Sequence, residues 1–161
     1  MADEGGLNDA MRQSKEHNGF AFMLSWGGYY AYKTDEGTYK VWRLLDLNQH
    51  VLHCALYKTT FDHVPTLDEA KHAERLTMHA PLAPMGMLDK KDQTYLGSEP
   101  LTDDDLDGYT IYLEAQGVGE EESEKLIQNI IGYSAENATR VHLYENPDVK
   151  GSIFFIDKTA S

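Results

Sequence analysis

Seven histidines and a single cysteine, Cys54, are the residues of this chain whose spacing could announce a metal or a nucleophile. His50 and His53 stand three apart in a stretch that reads as a strand. An odd separation there sends two side chains to opposite faces, so a shared metal is disfavoured. His72-Ala73-Glu74 spells the His-x-Glu element of zinc deaminases, but the Pro-Cys-x-x-Cys element that completes such a site is missing downstream. His63, His72 and His79 lie close in sequence without the spacing of a zinc signature. The expectation is surface or hydrogen-bonded histidines, with no structural or catalytic metal and no cofactor. Cys54 alternates with Leu52 and Leu56, the position of a small buried hydrophobe, whereas an activated thiolate wants an exposed, electropositive setting. Gly-x-Ser-x-Gly, the P-loop and Gly-x-Gly-x-x-Gly are absent. The Asn137-Ala138-Thr139 sequon has meaning only on a secretory route. No residue pattern demands catalysis, and the chain reads as a non-enzyme.

Charge and aromatic content carry more. Acids outnumber bases 27 to 14, a formal net charge of −13. That argues against a nucleic-acid or anionic-membrane surface, since both need a basic face. Between Glu99 and Glu124 ten acids occur without one Lys or Arg. Such a block serves either as a solvated, helix-capping face or as a patch that steers and holds a basic partner. On the second reading Asp103, Asp104, Asp105, Asp107, Glu120, Glu121, Glu122 and Glu124 form the partner-binding surface. The other concentration is aromatic: Trp26, Tyr29, Tyr30, Tyr32, Tyr39, Trp42 and Tyr57. Tyr29 and Tyr30 are consecutive and cannot both point inward on a regular strand. Some of these rings are therefore expected at the surface, with Tyr30 and Trp42 as interface anchors.

These residues need a scaffold, and 161 residues with 41% apolar and 25% charged content fit one globular domain. No apolar run reaches membrane-spanning length, and no basic stretch followed by an apolar core opens the chain. A lone cysteine suits a reducing compartment, so a cytoplasmic location is expected. Residues 1–18 read as a flexible or peripheral arm and 19–161 as a single α+β domain. From 20 to 58 the period-2 pattern predicts an antiparallel meander of about four strands, with turns at Gly27-Gly28, Asp35-Glu36-Gly37 and Asn48-Gln49. Thr66 and Glu69 form a capping box for a helix reaching about Leu76. Residues 77–100, with Pro81, Pro84 and Pro100, read as a long surface loop with room for one short strand. Thr102 and the acids behind it open a second helix that Gly117 stops. Glu120 to Tyr133 is the third, with Leu126, Ile127, Ile130 and Ile131 on one face. Arg140–Tyr144 and Ser152–Asp157 read as a closing strand pair around Asn146-Pro147-Asp148.

The first half of the chain resembles bacterial polymorphic-toxin immunity proteins. The resemblance rests on the small acidic α+β build and on Gly-Gly-Tyr-Tyr-Ala-Tyr-Lys-Thr (27–34) leading into Tyr39-Lys-Val-Trp-Arg-Leu-Leu-Asp46. It implies a non-enzymatic protein that binds one cognate toxin and blocks its active site or substrate groove; the acidic block adds the expectation that this site is basic, as in a nuclease. Two other readings compete. A nucleic-acid mimic acting on restriction or CRISPR machinery needs carboxylates spread over a long face, whereas this acidity is concentrated in one segment. An enzyme would use an unrecognised site built from the histidines and the 77–100 segment.

Overall fold

The computed structural model describes residues 21–48, 51–83, 86–87, 90–136, 139–145 and 153–160. The period-2 stretches become strands β1 (Ala21–Ser25), β2 (Gly28–Lys33), β3 (Tyr39–Asn48) and β4 (Val51–Phe61). Strands β5 (Arg75–Leu82) and β6 (Lys91–Ser98) complete a five-stranded antiparallel sheet of order β5-β4-β3-β2-β6. Helices α1 (Leu67–Lys71), α2 (Asp107–Ala115) and α3 (Glu120–Glu136) precede the closing pair β7 (Thr139–Glu145) and β8 (Ile153–Ala160). The protein is a single-domain α+β fold. The 1–18 arm, the Asn146-Pro147-Asp148 turn, Asn137 and His50 lie outside the described residues.

Strand β3 explains how the domain is layered. Every residue from Val41 to Leu47 is buried, a pattern possible only when both faces of a sheet are covered. On one face Arg43 and Tyr29 lie under the segment leading into α2; on the other Tyr30 and Trp42 stack with ring centroids 4.6 Å apart. On that second face Gln93 of the neighbouring strand β6 takes the Trp42 indole proton and donates to the carbonyl of Met87, in the segment before β6. The apolar side of α3 arrives as the periodicity requires, with Ile127 and Ile130 buried and Leu126 and Ile131 packed beside them.

The meander begins one strand later than the pattern suggests. β1 leaves the main sheet and pairs antiparallel with β7, which pairs with β8. The turn between β1 and β2 is Gly27, at φ +75°, where its amide donates to Leu44 and its carbonyl receives Glu99 and Arg43. A side chain there would run into the Glu99 carbonyl, so this corner needs glycine.

Two readings of the middle of the chain are corrected. The capping box of Thr66 and Glu69 is present, but α1 stops at Lys71 rather than near Leu76. The chain then becomes β5, because the free edge of β4 takes it as a partner: Lys58 donates to Glu74, and Tyr57 pairs with Arg75. Residues 77–100 are accordingly two edge strands with a short connection, not a long loop. Pro81 lies within edge strand β5, where proline is tolerated since no ladder donor is required outward. The second helix begins at Asp107, and the Thr102 signal is used one turn earlier.

Candidate functional site

The acidic block is folded into the turn before α2, the helix α2 and the first turns of α3. Thr102 and Asp105 bond reciprocally: the Thr102 amide donates to Asp105 Oδ2 at 3.0 Å, and the Asp105 amide donates to Thr102 Oγ1 at 3.2 Å. The same carboxylate lies 3.4 Å from Arg43 Nη1 and 3.8 Å from Arg75 Nη2. Arg43 is buried, donating to the carbonyls of Gly27 and Glu99 and lying over the Tyr29 ring. Burial pushes the Tyr29 hydroxyl up to about 12, so it stays neutral under the guanidinium. Asp105 therefore fastens the helical layer to the sheet. Asp103 accepts a bond from Gln128 of α3 at 3.3 Å.

The other candidates face water: Asp104, Asp107, Glu120, Glu121, Glu122 and Glu124 are all exposed. Glu120, Glu121 and Glu122 occupy the first turn of α3, against its positive end. One residue of this surface escaped the sequence reading. Ile111 is 67% exposed, the most exposed of the large hydrophobics described. Asp107 precedes it by four and Glu114 follows by three, so all three share one strip of α2. The signal was available, since Leu106, Tyr109 and Leu113 pointing inward force Ile111 outward at a period of 3.6.

The aromatic anchors are elsewhere. Tyr30 and Trp42 are 1% and 0% exposed, so neither can touch a partner. Tyr29 and Tyr30 do point to opposite faces, as consecutive strand residues must. Both faces are covered, and both rings are core. Cys54 is buried and its thiol is pushed well up by burial, the small-hydrophobe role its spacing implied.

Four of the histidines, His53, His63, His72 and His79, are hydrogen-bonded. His53 is buried, with Nδ1 2.8 Å from His79 Nε2, and the pair is walled by Tyr109 and Tyr112 of α2. Burial holds His79 below its ordinary range. Beside it the buried Asp46 accepts from the Trp26 indole at 3.0 Å and from the Tyr109 hydroxyl at 2.7 Å. His63 bonds Asp62 and Glu69, which raise its proton affinity, and His72 bonds the Asp68 carbonyl. Among the described residues no three His, Cys, Asp or Glu side chains are grouped to hold a metal ion, and no helix is long and apolar enough to cross a membrane.

No protein-family model matches the chain, and no curated protein or solved structure matches it.

Proposed function

We propose that the chain is a non-enzymatic protein-binding inhibitor of the immunity type, which neutralises a cognate toxin by docking its acidic helical face on a basic active site. The observation that carries this reading is Ile111, held in water between Asp107 and Glu114 on α2. A solvated apolar side chain ringed by like charge is poor solubility design and a good anchor with a steering rim. Asp104 before α2 and Glu121 and Glu124 on α3 add exposed acids to the neighbouring helical segments. The buried Tyr30 and Trp42 have no part in it, and Asp105 supports the surface from beneath.

The test uses the protein encoded by the gene immediately upstream, co-expressed and then purified for binding kinetics. Reversing Asp104, Glu121 and Glu124 to Lys should lower the association rate about tenfold at low salt, with the difference shrinking as the screening length falls to about 8 Å at physiological ionic strength. Ile111→Ala should mainly raise the dissociation rate. An upstream protein that is harmless, or a complex indifferent to both variants, would refute the proposal.

A further inference from the structure

The sheet face opposite α2 and α3 carries a second feature that the inhibitor reading does not use. A cleft of about 520 Å³ is lined by Lys33, Lys40, Lys90 and Lys91 together with Tyr32, Asp35 and Glu36. Through Tyr32, Lys40 and Lys90 it is continuous with a second, less open lobe of about 300 Å³. That lobe is walled by Leu56 of β4, by Leu76 and Leu82 of the edge strand β5, and by Met87. The volumes fall in the range of small-ligand sites, about 300–1,000 Å³.

The lysines differ from four of the other described bases. Arg43, Lys58, Lys71 and Arg75 each meet a carboxylate. Lys33, Lys40, Lys90 and Lys91 form no ion pair with a described residue, and Lys90 instead lies 5.2 Å from the centre of the Tyr32 ring. In a chain of net charge −13, four lysines brought together against two acids form a local positive centre. Mutual repulsion among them costs stability unless an anion occupies the space. Leu76, 60% exposed, lies on the lobe wall with its apolar surface unfilled.

We infer that this two-part cleft binds a single-chain anionic amphiphile, with the acid group among the lysines and the apolar tail in the Leu56–Leu76–Leu82–Met87 lobe. Charge complementarity selects the head. The lobe, less open than the lysine cleft, suits a chain better than a flat protein surface. Lys90, lying over Tyr32, is placed at the junction where head and tail meet.

The experiment is calorimetric titration of the full chain with decanoate below its micelle concentration, with inorganic phosphate and decyl maltoside as head-only and tail-only probes. Decanoate should bind about tenfold or more tighter than either probe. Lys90→Glu with Lys91→Glu should weaken it about tenfold, the sum of several exposed charge interactions. Leu76→Asp should weaken it similarly while leaving phosphate binding unchanged. All three positions are exposed or at the edge, and an unchanged melting temperature certifies the fold. Phosphatidylglycerol vesicles separate a free amphiphile from a lipid surface: binding to vesicles without binding to monomeric decanoate overturns the inference. So does equal binding of decyl maltoside, equal binding of phosphate, or binding only of an acidic peptide.

Discussion

Asp105 and Asp104 are neighbours of identical type in the acidic block, yet the structure gives them different work. Asp105→Asn removes the negative charge from a carboxylate that caps Thr102 and lies 3.4 Å from the buried Arg43. Breaking a buried pair by removing one partner costs about 3–5 kcal/mol, and losing a helix-start cap about 0.5–2 kcal/mol. Both figures must be discounted here. The Asp105 side chain retains 22% of its exposure, and Arg43 keeps the Gly27 and Glu99 carbonyls. Asparagine also preserves the capping oxygen. The expected loss is about 2 kcal/mol, or a melting temperature lower by about 4–8 °C for a chain of this size. Asp104→Asn, on an exposed carboxylate, should fall within about 0.5 kcal/mol of the parent. Urea unfolding followed by circular dichroism measures both. Equal, small effects would show that the Arg43–Asp105 contact does not fasten the helices to the sheet.

Two further perturbations probe the buried polar cluster under α2. Asp46→Ala withdraws the acceptor from the Trp26 indole and the Tyr109 hydroxyl and should cost about 2–4 kcal/mol in urea unfolding, while Asp46→Asn, which keeps one carbonyl oxygen, should cost less; equal costs would mean that the hydrogen bonds are not what Asp46 contributes. His79 is held by burial below its ordinary value of 6.5, so as pH falls through 6.5 the unfolded chain takes up a proton that the folded one resists. This contribution is intact above 6.5 and is lost between 6.5 and the lowered native value. His63, raised by Asp62 and Glu69, works in the opposite sense from an exposed position. Unfolding free energy measured from pH 7.5 to 5.5 should therefore fall less steeply in His79→Gln than in the parent, and an identical slope would contradict the assignment.

How much of this was legible in the sequence depends on which interactions are local. The Thr66–Glu69 box, the Gly117 stop and the apolar stripe of α3 involve residues within a few positions of one another, and they stand where the pattern put them. The strands β5 and β6 were hidden, because their pairing is set by β4 and β2, and their prolines and glycines resemble those of a loop. The aromatic surface was misplaced for a related reason. Alternation tells which side of a strand a ring takes, and Tyr29 and Tyr30 obey it. It cannot tell that the far side is also covered, there by the segment before β6 that carries Met87, whose carbonyl Gln93 holds. Nor could composition separate Asp105 from Asp104, since the Arg43 it meets is 62 positions earlier.

The acidic block divides on physical grounds into charges that the fold uses and charges that it does not. Glu99 and Asp105 meet cations, Asp103 ties the turn to α3, and Glu120, Glu121 and Glu122 sit where the helix field favours them. A capping account stops there. Glu114 is the penultimate residue of α2, a helix with no base in its last turn, so its charge faces the negative end and opposes the local field. Glu124 lies beyond the first turn of α3, where the helix field has faded. Helix stability would be served by Lys at 114, and solubility equally well by Lys or Glu at 124. What the acidic choice at 114 does provide is the same sign on both sides of Ile111, with Asp107 one turn before it and Glu114 one turn after. Repulsion among those charges weakens the free protein slightly and disappears when a cationic surface covers them. An exposed apolar residue flanked by such charges is what the proposed docking on a basic partner calls for, which is why the inhibitor proposal rests on Ile111 and its flanking acids rather than on net charge alone.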